Sequence, residues 1–311
     1  KFESEITPYG NPECPQTLRN HMIRKFIFAA AITTSATAAS AELTYGTAFA
    51  KYHTLDINNG SAIKLDITSL GGGIEYKYNN FTFSGELARV EIEDVDINLG
   101  SIGAEYAFGN GFAVGLDYAK FEALGYDVDI TSIFGSYTMN QYTFGAAIGD
   151  SSDLNDPAYT VYAAWDVTPT GTVGLDISRI DDETLYAGYA DYELEQYDVQ
   201  ADVLKLDELR LVSVAGGYKF GNGLSAIASA SYVDLGTETA RALSIGAQYE
   251  FVPGANVEVA LGRISVDGAA EDIDQVTFGL NYELGRRTSK RRSLGNIVSG
   301  ATGTLSGLTS F

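Results

Sequence analysis

Cysteine and histidine are almost missing from this chain, which holds one Cys (Cys14) and two His (His21 and His53) in 311 residues. A single thiol forms no internal disulfide and no thiolate metal site. His53 is the one histidine in the patterned part of the chain, and a lone strand-end imidazole is far more often structural than half of a nucleophile–base pair. No catalytic, cofactor-binding or metal-ligating set assembles from these residues, so the chain reads as a non-enzyme. Basic residues are scarce as well: 20 Lys and Arg stand against 41 Asp and Glu, and between Glu42 and Leu284 the balance is 11 against 38. That excludes nucleic acid as a partner, because phosphate must be neutralised by Lys and Arg. Abundant, regularly placed Tyr, Phe, Ile and Val exclude disorder. Long apolar runs are missing too, none approaching the ~20 residues of a spanning helix. If this chain enters a membrane, it does so as strands.

The ends differ from the middle. Met22-Ile23-Arg24-Lys25, the apolar run Phe26 to Ile32 and the small-residue site Ala39-Ser40-Ala41 have the layout of a secretory signal peptide over residues 22–41. Residues 1–21 are read as an upstream remnant. From Gly285 to Phe311 the chain turns basic and rich in Gly and Ser, with five bases and no acid, and is expected to be a non-native or disordered tail. The region from 42 to 284 remains as one domain.

One phrase recurs along that region: Glu75-Tyr-Lys-Tyr-Asn-Asn-Phe81, Glu105-Tyr-Ala-Phe-Gly-Asn-Gly-Phe112, Ser136-Tyr-Thr-Met-Asn-Gln-Tyr142 and Gly217-Tyr-Lys-Phe-Gly-Asn-Gly-Leu224. Variants with proline surround Pro169 and Pro253. Asn-Asn, Gly-Asn-Gly and Pro-Gly are tight-turn chemistry, and the flanks alternate with period 2, so each phrase is a β-hairpin. Six such turns, with a first strand at Leu43 and a last one ending at Leu284, predict fourteen strands. The double-length gap between Trp165 and Tyr218 leaves sixteen as the alternative. The spacing assigns Asp181 to Glu208, with ten acids, to a long outer loop that is either solvated or folded inward as a filter. The predicted fold class is all-β: a transmembrane, antiparallel, up-and-down barrel.

Alternation also assigns faces. Aromatic residues sit at the short-turn end of nearly every strand: Tyr76, Tyr78, Tyr106, Phe108, Tyr137, Trp165, Tyr218, Phe220, Tyr249, Phe251 and Tyr282. This placement is an interfacial girdle, which a soluble sandwich does not need. The opposite parity is small and acidic. It includes Gly46, Ala48, Ala50, Ala113, Gly115, Gly145, Gly174, Ser229, Gly246 and Gly279, punctuated by Glu75, Glu86, Glu105, Asp117, Asp166, Asp176, Glu250, Glu258 and Glu283. Lys77 and Lys219 are the bases found on it. Rings of Asp and Glu in a narrow pore favour cations. Even spacing places Lys51, Arg89, Lys120, Arg179, Arg210, Arg241 and Arg263 on the lipid-facing parity at the end away from the girdle, a pattern the acids do not follow. Lys or Arg facing lipid costs ~2–4 kcal/mol at the midplane and ~0–1 near an interface, so this belt should mark a hydrocarbon edge. Arg there is suited to bidentate contact with lipopolysaccharide phosphate.

With these turn phrases and the closing strand Val276-Thr-Phe-Gly-Leu-Asn-Tyr-Glu-Leu284, the region resembles the bacterial outer-membrane porin family, in particular its compact Gly- and Asp-rich members. The resemblance implies an outer-membrane barrel of a diderm bacterium, inserted by the barrel-assembly machinery and often a homotrimer. It also implies passive diffusion of small hydrophilic solutes and cations. The alternative is a closed barrel with a structural, adhesion or assembly role. Two features depart from the family pattern. Leu284 stands where a terminal aromatic residue is usual, and the segment read as the third outer loop, about Glu122 to Asp129, is short.

Overall fold

The computed structural model describes residues 42–58, 62–93, 95–123, 126–236, 238–268, 272–285 and 287. The predicted upstream remnant and signal peptide, and the tail after Arg287, lie outside the described residues. Sixteen strands follow one another: β1 (Glu42–Asn58), β2 (Ala62–Tyr78), β3 (Phe81–Ile92), β4 (Val95–Ala107), β5 (Phe112–Ala123), β6 (Tyr126–Met139), β7 (Tyr142–Asp150) and β8 (Ala158–Thr168). They continue as β9 (Gly171–Ile180), β10 (Glu183–Glu193), β11 (Tyr197–Leu206), β12 (Leu209–Gly221), β13 (Leu224–Asp234), β14 (Thr239–Val252), β15 (Ala255–Val266) and β16 (Ile273–Gly285). Each pairs antiparallel with its sequence neighbours, and β1 pairs with β16, so the sheet closes as an up-and-down barrel. No described helix is long and apolar enough to cross a membrane.

The count is sixteen, not the preferred fourteen. The segment from Asp181 to Glu208, expected as a long outer loop or an inward filter, is the β10–β11 hairpin and part of the wall. Its girdle-side turn, 194–196, closes through Leu194 N donating to Tyr197 O at 2.6 Å, without Gly, Asn or Pro. Its outer flanks are the two-residue turns Asp181-Asp182 and Asp207-Glu208, with Asp181 at φ 50° and Asp207 at φ 49°. Aspartate tolerates this left-handed region because its short side chain bonds locally. Nine of the ten acids therefore mark two tight outer turns and a lumen wall, and Glu195 sits in the girdle-side turn, so the segment is not a solvated loop.

The seven girdle-side turns share one device. The carbonyls of Asn80, Gly111, Gln141, Thr170, Gln196, Gly223 and Gly254 each accept the backbone N–H of the strand end beside them, at 2.7 to 3.0 Å. Each hairpin tip is thus tied to the next, the unanticipated one at Gln196 included. Rings follow the same joints across strands: Phe81–Tyr106 at 4.8 Å, Phe112–Tyr137 at 4.4 Å and Tyr197–Tyr218 at 5.0 Å. Such aromatic pairs contribute ~0.5–1.5 kcal/mol each beyond their burial.

Outside the barrel, aliphatic side chains stand bare between the two rims; Ile245 is 68 % exposed, Leu87 67 % and Leu243 64 %. An apolar surface this continuous is tolerated against hydrocarbon and not against water. A second set of outward tyrosines, with Tyr159, Tyr186 and Tyr232 paired to Arg179, Lys205 and Arg241, borders the band at the end away from the girdle.

Inside, rings lie flat over cross-strand glycines. Phe49 covers Gly71, Phe134 covers Gly115, Tyr162 covers Gly145 and Tyr189 covers Gly174, and a Cβ at any of these glycines would enter the ring. Glycine here is a close-approach residue that lets bulky side chains hug the wall. Gly174→Ala should push Tyr189 off the wall and cost about 1–3 kcal/mol. A lowered midpoint for the heat-induced mobility shift on gels would show this cost, and Gly174→Ala with Tyr189→Ala should recover part of it.

Candidate functional site

The register assigns the inward face of each described strand. Glu75, Glu86, Glu105, Asp117, Asp166, Asp176, Glu250, Glu258 and Glu283 all stand on the inward parity of their strands. Strand β10 and its neighbour add Asp191, Glu193, Asp198 and Asp202, which the loop assignment had hidden. Several of these carboxylates have local duties. Thr44 Oγ1 donates to Glu75 Oε1 at 2.7 Å, and Thr172 Oγ1 to Asp166 Oδ1 at 2.7 Å. Glu250 Oε1 accepts the Gly254 N–H at 2.7 Å and so braces a turn. Asp198 stands over Gly217, where a Cβ would press into its carboxylate.

Lys51 requires a correction. A bulge between Leu43 and Tyr45 reverses the parity of β1, so an even count from Leu43 leads inward. Lys51 faces the lumen, nearly buried, with Nζ 3.1 Å from Glu258 Oε1. Asn281 Nδ2 donates to Glu258 Oε2 at 2.7 Å and to Asn256 Oδ1 at 3.1 Å. The same reversal turns Gly46, Ala48 and Ala50 outward, paired with Leu284, Tyr282 and Leu280. It also turns His53 inward, where its Nδ1 lies 2.9 Å from Thr277 Oγ1 in a fully buried contact. The histidine thus bridges β1 and β16. Among the described residues no three His, Cys, Asp or Glu side chains group as a metal site.

Among the described residues the inward bases are Lys51, Lys77, Lys219 and Arg287. Lys219 Nζ donates to Glu193 Oε1 at 3.0 Å. Arg287, just past β16, pairs with Glu86 and lies 4.9 Å from the Tyr45 ring, above the space that Gly73 leaves open. That contact belongs to the segment assigned to the tail, and no pattern of alternation could have pointed to it.

The lumen has three tiers. Acids occupy the girdle half. Small hydroxyls follow, among them Ser69, Ser101, Ser132, Thr160 and Ser178, with Thr160 and Ser178 hydroxyls 2.8 Å apart. At the opposite end the inward residues are aliphatic: Leu185, Leu204, Leu211 and Val233 pack as one cluster with Ala158. The 151–157 loop sends Leu154 against that cluster, its Asn155 and Asp156 N–H groups donating to Asp181 Oδ1 at 2.9 and 3.1 Å.

On the outer face Arg89, Lys120, Arg179, Arg210, Arg241 and Arg263 stand outward at the end away from the girdle. They are not alone there. Arg89 Nη2 lies 2.8 Å from Asp96, Lys120 Nζ 2.6 Å from Glu122 and 3.0 Å from Asp127, and Arg263 Nε 3.0 Å from Asp274. Arg241 and Arg179 reach Asp267 and Asp182 at 3.7 and 3.9 Å. Acids do follow the pattern, and the belt is a row of exposed ion pairs. The eleven named girdle aromatics occupy the outward parity or the turns beside it, joined by Phe81, Phe83, Phe112, Tyr142, Phe144, Tyr192 and Tyr197.

No family model and no curated protein matches the chain. Among solved structures it is similar to OpdQ of Pseudomonas aeruginosa, at 11 % identity over 79 % of this chain and 99 % of that one, with TM-score 0.49. The outer membrane protein OpdK of Pseudomonas aeruginosa is similar at 12 % identity over 79 % and 98 %, TM-score 0.48. OccAB3 of Acinetobacter baumannii is similar at 9 % identity over 79 % and 100 %, TM-score 0.48.

Removing one member of the Lys51–Glu258 pair strands the other charge, which for a buried pair costs up to about 3–5 kcal/mol. Lys51→Met should therefore lower the unfolding midpoint in urea and detergent more than Lys51→Met with Glu258→Gln does. Equal losses in the two variants would remove the pair as a stabilising element.

Proposed function

We propose that this barrel is a water-filled, cation-preferring channel in the outer membrane of a diderm bacterium, passing small hydrophilic solutes by passive diffusion. The observation that carries the reading is the sorting of charge by face. Acids crowd the inner wall, and of the four described bases there, Lys51, Lys219 and Arg287 are each matched to a carboxylate. Sixteen strands ~4.8 Å apart and tilted ~40° give a backbone radius of roughly 16 Å. The expected 181–208 loop lies in the wall and takes up none of that width. Wall charges at this radius lie within about two Debye lengths of a permeating ion, so a net negative lining raises the local cation concentration. The girdle end is the periplasmic side, and the ion-pair row is the outer one.

Contact with lipopolysaccharide belongs to the same proposal, through exchange of belt carboxylates for lipid phosphates around Arg89, Arg179, Arg241 and Arg263. Replacing all four with Gln should reduce co-purified lipopolysaccharide; unchanged lipid content would remove this contact. For the channel itself, the purified protein in a planar bilayer under a KCl gradient should give a reversal potential of cation-selective sign. Glu86→Gln, Asp117→Asn and Asp176→Asn together should move it toward zero. An anion-selective potential would overturn the preference, and absence of conductance would favour a closed barrel with a structural role.

A further inference from the structure

The chain leaves its last strand inward. Gly285, which ends β16, takes φ 67°, and a Cβ there would strike the Thr44 carbonyl beside the β1 bulge. Glycine fits because it has no Cβ to clash and adopts positive φ freely. Two residues on, Arg287 lies inside the barrel across β1, β2 and β3. Its guanidinium pairs with Glu86 of β3 and lies 4.9 Å from the Tyr45 ring of β1. It passes over Gly73 of β2, where a Cβ would stand 3.7 Å from Nη2. A carboxylate, an aromatic ring and a bare stretch of backbone together make a seat for a guanidinium. Among the described residues Arg287 is the one inward base that no strand carries.

The seat opens on acidic wall. Glu75, Glu105 and Glu283 stand inward on β2, β4 and β16, in the same girdle half of the lumen. Arg287 is followed by Lys290-Arg291-Arg292, with no acid between Gly285 and Phe311. An extended chain of three to five residues reaches ~10–18 Å. The backbone radius is roughly 16 Å, so the reach from the seat to this basic run matches the distance to the pore axis. We infer that the inner face of β1–β3 is the docking surface for the basic segment that follows β16, and that Arg287 anchors this segment as a tethered blocker of the girdle-side mouth. The inference deepens the channel reading above and rests on it. Charge complementarity selects this occupant, and the seated Arg287 shows its point of entry. A tethered cation competes with permeating ones for the same carboxylates, and the tether keeps its effective concentration high. Its hold is electrostatic at an aqueous mouth, so salt weakens it.

The test is the single-channel K⁺ conductance of the full chain in planar bilayers. Lys290→Gln, Arg291→Gln and Arg292→Gln together leave every strand intact and should raise it about twofold at ~0.1 M KCl. The difference should shrink at ~1 M, where the screening length falls from ~10 to ~3 Å. Arg287→Gln should act in the same direction by removing the anchor. Glu86→Gln separates docking from wall charge. It removes one acid, which by itself lowers cation conductance, yet it dismantles the seat and should raise it. A conductance unchanged in the triple variant, or lowered by Glu86→Gln, overturns the inference and leaves the channel standing, with the segment clear of the mouth. No conductance in the wild type or in any variant removes the channel reading, and this inference with it.

Discussion

Every backbone N–H and C=O in a sheet that faces hydrocarbon must find a partner within the sheet, because no solvent is there to supply one. A flat sheet leaves two open edges; a closed one leaves none. Pairing of β1 with β16 is therefore the contact on which the rest of the fold depends. Antiparallel closure with hairpin connections brings Glu42, where β1 begins, and Gly285, where β16 ends, to the girdle rim, and each strand then presents one face to lipid and one to the lumen. The outward apolar band, the two tyrosine rims and the inward polar tiers are consequences of that single closure, repeated along each strand at period 2.

Small residues matter inside for a reason beyond open space. A ring that hugs the wall needs a neighbour without a Cβ, and the Gly115, Gly145 and Gly174 positions provide it for Phe134, Tyr162 and Tyr189. The wall thus carries aromatic bulk and keeps it flat. Charge is handled by the same pairing logic. Glu258 is acceptable in a buried position because Lys51 and Asn281 meet it from neighbouring strands. Such contacts are consequences of register and cannot exist until strands distant in sequence are side by side.

Much of this architecture is legible in the chain. Alternation assigned faces correctly wherever strands run without interruption, and turns rich in Asn, Gly and Pro located six of the seven girdle-side hairpins. The β10–β11 hairpin escaped because its turns use Asp at positive φ and a Leu-Glu-Gln tip, which look like solvated loop by composition. Lys51 escaped because parity carries no memory of a bulge: one extra residue near Thr44 reverses every side chain beyond it on β1. The partners of the belt cations escaped for a third reason. Arg263 and Asp274 are joined by a register that no local pattern encodes. What sequence periodicity conveys is the face of a residue; what it cannot convey is who stands opposite.

The Lys51–Glu258 contact reaches across the seam, from β1 to β15 over β16. Neither partner can meet the other until β1 stands beside β16, so the pair forms no earlier than closure of that seam. Interactions absent from the folding transition state leave the folding rate alone and slow the reverse reaction. The seam charge pair then acts as a latch: it holds the first and last strands once they have met. For a barrel that parts its strands at the seam, side chains that bridge it add to the β1–β16 backbone ladder in setting how long the whole endures.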